Sequence, residues 1–183
     1  MLGIASAMQP IAAYNVGAKN YKRLKAVVKR TIIFSFLTSV GLWAFTMIFT
    51  PQLLSIYVKD KIILDESVRA FRIMVSVIPL ISLYYVSIYY FQALGKAKKS
   101  FLVSILRQLI VLLPVSIVLI KVFKLGALAI WISYPISDII SSVTAIIMMN
   151  VESKKLDSTI EKVELSKQKK SKKYREEPLG DDI

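Results

Sequence analysis

This 183-residue sequence contains no cysteine, no histidine and only 12 acidic residues. Without cysteine there is neither a disulfide nor a thiol nucleophile, and without histidine the commonest zinc ligand and general base are both missing. No phosphate-binding loop occurs, because Gly95-Lys96 lacks the upstream glycine and the following serine or threonine. The few carboxylates form no cluster with metal-ligand spacing. Hydrolase, kinase and redox machinery are therefore absent, and the sequence predicts neither an enzyme nor a resident metal or cofactor.

Charge is also absent, in long blocks, from most of the first 150 residues. Met1–Ala18, Thr31–Val58 and Ile73–Gly95 carry none, Ser100–Ile120 carries only Arg107, and Leu125–Val151 carries only Asp138. A helix rises ~1.5 Å per residue, so about 20 apolar residues cross a hydrocarbon slab ~30 Å thick. Four runs reach that length and the first is marginal. Barrel strands would appear as alternating segments of ~10 residues, whereas these runs are longer and apolar on every side. With 55% hydrophobic residues and a mean hydropathy of +0.57, the sequence predicts an all-α membrane protein with about five spans, and the lipid bilayer is its first partner. The spans are expected near residues 1–18, 31–50, 73–93, 100–120 and 125–149. A transmembrane region, 1–150, then gives way to a polar tail, 151–183, expected to be largely disordered.

The net charge of +13 would suggest nucleic acid in a soluble protein. Here the excess of Lys and Arg on the cytoplasmic side of membrane proteins accounts for it, and no nucleic-acid partner is predicted. Six cations lie in 19–30, three in 96–99 and nine after Asn150, against four in 59–72 and two at 121 and 124. If the runs alternate in direction, the first three groups share one face, which should be cytoplasmic. That places the tail inside and Met1 outside a multi-pass protein of the inner (plasma) membrane. The basic segment 19–30, with Tyr21, Leu24, Val27 and Val28 on one face, is expected to lie among the headgroups before the second span begins. A first span that opens without flanking charge, in an odd-numbered set, reads as the C-terminal portion of a longer transporter.

Arg107 and Asp138 are the costly residues, at ~2.5–3.5 kcal/mol for a charge at a helix centre. Arg107 lies close enough to the cytoplasmic end to snorkel or serve structure, with direct substrate contact as the other reading. Asp138, nearer mid-span, is a candidate proton carrier or a hydrogen-bonding partner for Ser137, Ser141 or a neighbouring helix. Tyr84 and Tyr85, away from the interface, are candidates for a cavity wall, as is Gln108. Pro10, Pro79, Pro114 and Pro135 interrupt four of the five runs, a pattern suited to helices that bend around a cavity.

Several motifs resemble those of one family. Gln9-Pro10-Ile11-Ala12-Ala13-Tyr14-Asn15-Val16-Gly17-Ala18-Lys19-Asn20-Tyr21-Lys22-Arg23 resembles the signature closing the eighth helix of multidrug and toxic compound extrusion (MATE) transporters. Phe91-Gln92-Ala93-Leu94-Gly95-Lys96 resembles the end of the tenth helix; Ser104, Arg107-Gln108 and Pro114 the eleventh; Gly126, Trp131, Pro135, Ser137 and Asp138 the opening of the twelfth. The resemblance gives Gln9, Pro10, Asn15, Gly17, Arg107, Pro114 and Pro135 structural or motif roles. It implies helices eight to twelve of a 12-helix, two-lobed antiporter that exchanges Na+ or H+ for small organic, often cationic, drugs. The partner would be an N-terminal lobe or a second half-transporter chain. No carboxylate of the family's cation sites transfers to this sequence. Related lipid-linked saccharide flippases, or a non-transporting fragment, are the alternatives.

Overall fold

Asn15, Gly95 and their neighbours decide where the first helices stop. In the computed structural model, which describes the backbone of residues 1–176 and side chains through 161, α1 (Leu2–Gly17) and α2 (Tyr21–Ile48) are joined by a tight turn. Its closing bond runs from the Asn20 N–H to the Asn15 carbonyl, 2.9 Å, over Lys19 at φ +55°. The same geometry recurs after α5 (Ile78–Ala93), where the Lys96 N–H reaches the Phe91 carbonyl over Gly95 at φ +69°. Glycine takes a left-handed backbone without a Cβ clash, while Lys19 bears that cost. Asn20 then caps α2, accepting from the Arg23 N–H at 3.2 Å.

The basic segment is therefore not a separate headgroup piece. It forms the first turns of α2, a continuous 28-residue helix. Lys, Arg, Ala and Leu are good helix formers, and no proline interrupts them, so the chain has no reason to break at Thr31.

The third apolar run is not one straight span. A short helix, α3 (Thr50–Ser55), with Pro51 in its first turn, is followed by the amphipathic α4 (Lys61–Val75). Asp60 opens α4 by accepting from the N–H groups of Ile62 and Ile63 at 2.8 and 3.1 Å. What reads as a charged joint is thus mostly helix. It ends at Val75, and α5 leaves at an angle of 43°. Pro79 explains the break: its ring would collide with the Val75 carbonyl four residues earlier, so it occupies the first turn of a new helix instead. The freed groups are covered locally, the Ser76 hydroxyl donating to the Ile73 carbonyl at 2.7 Å.

The fourth run comprises α6 (Ala97–Ile105), a π-helical segment over Leu106–Leu112, and α7 (Leu113–Lys121). Pro114 lies just beyond the wide turn and cannot bond to Ile110, which removes one α-type bond from the stretch. Finally α8 (Ala127–Glu176) carries Pro135 within it, as α1 carries Pro10.

Tyr21–Ile48, Ala97–Lys121 and Ala127–Glu161 are each long and apolar enough to cross a membrane, and the bent α4–α5 pair makes a fourth span if taken as one. The 16 residues of α1 reach only about 24 Å at helical rise. The described residues are helices and turns, and the protein is an all-α membrane protein.

The chain divides into two units, Met1–Met149 and Asn150–Ile183. In the first, α5 is the central helix, packed against α1, α2 and α6. Small residues let backbones approach, as Ala5 and Ala12 on α1 and Ser35 and Ser39 on α2 do. The outward faces stay apolar, with Phe34, Leu37 and Ile48 each about two-thirds exposed, as a lipid-facing surface requires. In the second unit the expected disorder is not what the structure has: the chain is helical as far as Glu176. Residues 150–176 contain no Gly or Pro and are rich in Lys and Glu, which favour helix. Residues 177–183 of the expected disordered tail lie outside the described residues.

Candidate functional site: a charge pair beside a π segment

Three helical elements converge near the middle of the first unit. The Arg107 side chain leaves the π segment toward α8, and its Nε donates to Asp138 Oδ1 at 2.6 Å. Asp138 is almost fully buried at 3% exposure, while the Arg107 side chain retains 22%. Charge-assisted bonds of this kind are short and strong, and in hydrocarbon the alternative is an isolated ion. Arg107 therefore does not snorkel. Its guanidinium turns inward to a partner on the next helix.

A second bond ties the same helices. The Ser137 hydroxyl donates to the Arg107 carbonyl at 2.8 Å. The π winding replaces i→i+4 bonds with longer ones and loosens the backbone ladder, and here a serine from α8 covers one of its carbonyls. Adjacent residues of α8 thus bind one residue of the π segment twice, by side chain and by backbone.

Aromatic residues of α5 complete the cluster. The Arg107 guanidinium carbon lies 5.5 Å from the centre of the buried Tyr84 ring, within cation–π range. Ser104, one turn before Arg107, donates its hydroxyl to the Ser100 carbonyl at 3.0 Å. The Tyr85 ring stands edge-on to Tyr84, centroids 5.4 Å apart. One turn further along α8, the buried Ser141 and Ser142 hydroxyls have no hydrogen-bond partner among the described residues.

Of the residues singled out from sequence, Tyr84, Arg107 and Asp138 come together, and Tyr85 forms a second layer. Gln108 does not join them: it is exposed and shares no hydrogen bond with the cluster. The motif residues lie elsewhere. Asn15 is buried, its Nδ2 donating to the Ile11 carbonyl at 2.7 Å. Gln9 is half-buried, Pro10, Gly17 and Pro114 are exposed, and Pro135 is half-buried within α8.

Sequence reasoning missed the Arg107–Asp138 pairing and the role of Ser137. A signal for the first was available, since these are the lone charges in two adjacent runs and have opposite signs. Ser137 had none, because a hydroxyl one residue from an aspartate looks the same whatever it caps.

Chemically, the site is a neutralised pair with spare donors. Asp138 takes one Arg107 N–H, and the terminal NH2 groups of the guanidinium have no partner among the described residues. The partly exposed edge of the guanidinium can take carboxylate or phosphate oxygens by hydrogen bonds.

Helices of bilayer length, one pair of them bent by 43° ahead of Pro79, with a charge pair joined between two others, define a polytopic integral membrane protein. The chain belongs to the MatE family, whose model matches residues 1–118. It is 28% identical over 148 residues to the "Probable multidrug resistance protein YoeA" of Bacillus subtilis (strain 168), covering 81% of this chain and 32% of that one. It is similar to the solved MATE multidrug transporter DinF-BH, at 33% identity and a TM-score of 0.77, covering 82% and 33% of the two chains. A MATE structure in the bent conformation shares the fold, with a TM-score of 0.81 at 22% identity, covering 86% and 35%. The chain spans about a third of the length of these relatives.

Proposed function

We propose that this chain supplies helices eight to twelve of an ion-coupled multidrug exporter, with Tyr84, Tyr85, Arg107 and Asp138 on the wall of its cavity. The observation that carries the reading is the neutralised Arg107–Asp138 pair beside Tyr84, set within apolar helices. A charge at that depth is tolerated where it faces a partner or water. The guanidinium has both, a carboxylate on one edge and an open side on the other. The names of the relatives, a probable multidrug resistance protein and a multidrug transporter, support the cargo class. The energy source in this reading is a gradient of Na+ or H+, since the chain has no nucleotide-binding motif. No enzymatic step is assigned to it. The same reading places the protein in the inner membrane with its Lys-rich tail in the cytoplasm.

A second reading has a specific observation behind it. The unpartnered terminal nitrogens of Arg107 suit an anionic oxygen better than a cation. A flippase for lipid-linked saccharides, which must hold a pyrophosphate, would use such a group.

Efflux assays separate the possibilities. Expressed alone, the chain should export no ethidium above vector, because one portion of a lobe has nothing to rock against. Co-expressed with a polypeptide carrying seven preceding helices, it should give ionophore-sensitive ethidium efflux, reduced by Tyr84→Ala. Robust efflux by the chain alone would overturn the assignment of helices eight to twelve within a larger exporter. Absence of efflux from a correctly assembled pair, with lipid-linked saccharide translocation in its place, would favour the flippase. A co-expressed pair that assembles but moves neither cargo would leave the chain a non-transporting fragment.

A further inference from the structure

At the end of the bundle where α2 stops and α8 begins, a recess opens that the charge-pair site does not use. One hollow in it, about 330 Å³, is lined by Glu66 and Arg69 of α4 together with Leu128 and Trp131 of α8. A second hollow, about 260 Å³, adjoins it and is bordered by Trp131, Leu54, Phe71 and Met74. Ala70 and Trp131 border both, so the indole stands between a charged hollow and an apolar one.

The charged hollow carries both signs, uncombined. Glu66 and Arg69 are three residues apart on α4, a spacing that puts their side chains on one side of the helix with Cβ atoms about 5–6 Å apart. Both are exposed, and neither makes an ion pair or hydrogen bond with any described residue. Arg72, one turn further on, is instead engaged, donating to the Met47 carbonyl at the end of α2. An exposed carboxylate and guanidinium one turn apart on one rim match a ligand whose own opposite charges are a few bonds apart. The apolar hollow beside them matches an apolar tail. A bilayer supplies molecules of that form in great excess, at the depth where a helix end meets the headgroups.

We propose that this recess binds one phospholipid with an ethanolamine headgroup. Its primary ammonium donates to Glu66, its phosphate accepts from Arg69, and an acyl chain runs past Trp131 toward Phe71 and Met74. Choline would fill the same space without an N–H for Glu66. An anionic lipid would satisfy Arg69 and be repelled by Glu66.

The chain has two tryptophans, Trp43 and Trp131. A Trp43→Phe variant therefore reports on the recess alone. In phosphatidylcholine vesicles doped with one brominated lipid at a time, brominated phosphatidylethanolamine should quench Trp131 more than brominated phosphatidylcholine at equal content. Glu66→Gln and Arg69→Gln should each abolish that excess while leaving the circular dichroism of the chain unchanged. Equal quenching by the two lipids, an excess that survives both substitutions, or stronger quenching by brominated phosphatidylglycerol would overturn the proposal. On the unaltered chain, native mass spectrometry should retain one phosphatidylethanolamine in preference to phosphatidylcholine. Loss of that preference in a mixed-lipid preparation would also overturn it.

Discussion

The fold treats two combinations of arginine and carboxylate in the transmembrane unit oppositely. Arg107 and Asp138 come from different helices, 31 residues apart in sequence, and are joined at 2.6 Å with the aspartate buried. Glu66 and Arg69 are three residues apart on one helix, where pairing would be easy, and remain separate and exposed. The difference is solvation. Between apolar helices a lone charge costs several kcal/mol, so each ion holds the other in place. At the helix end water screens both, and an exposed pair gains roughly 0–1 kcal/mol, too little to fix two long side chains. Pairing here follows the medium and not proximity in sequence.

That contrast can be broken most severely at Asp138. Asp138→Ala leaves Arg107 unpaired between helices and should cost about 3–5 kcal/mol of stability, read as a fall in denaturation midpoint in detergent. Replacing both, Arg107→Met with Asp138→Leu, should recover most of that loss. A double variant no more stable than Asp138→Ala would show that the pair's worth lies elsewhere. Ser137→Ala is a smaller cut. It removes one interhelical bond to the π segment and should cost about 0.6–1.7 kcal/mol, with amide hydrogen exchange rising more across Leu106–Leu112 than in α1 or α2. At the other extreme, Glu66→Gln and Arg69→Gln should each move the midpoint by no more than about 0.5 kcal/mol in lipid-free detergent. A large effect there would mean that the rim charges are bound within the protein after all.

Much of this architecture is written plainly in the chain. Charge-free runs of bilayer length mark the helices, because hydrocarbon forbids any other way to satisfy a backbone. The Gly95 turn and the place of Pro51 in the first turn of α3 follow from single-residue stereochemistry. Other features were harder to read. Residues 59–72 look like a joint because seven of them are charged, yet they form most of α4, whose apolar side is visible only once a helical period is imposed. Run three hides a break because Pro79 can either kink a helix or begin one, and local sequence does not say which. The start of α2 and the helical course of 150–176 were obscured for a related reason: lysine marks a membrane boundary and is also a good helix former.

The site divides along the same line. Tyr84, Arg107 and Asp138 stand out as polar groups in apolar runs, but their meeting does not, and Gln108, adjacent to Arg107 in sequence, lies exposed outside the cluster. The sequence by itself determined the solvent, the helical class and the depth at which charge occurs, since those depend on transfer free energies summed along the chain. Only the tertiary structure decided which charges neutralise each other, which carbonyl Ser137 covers and where a recess opens beside Trp131. Those depend on the rotation and offset of one helix against another, which side chains on both partners set together.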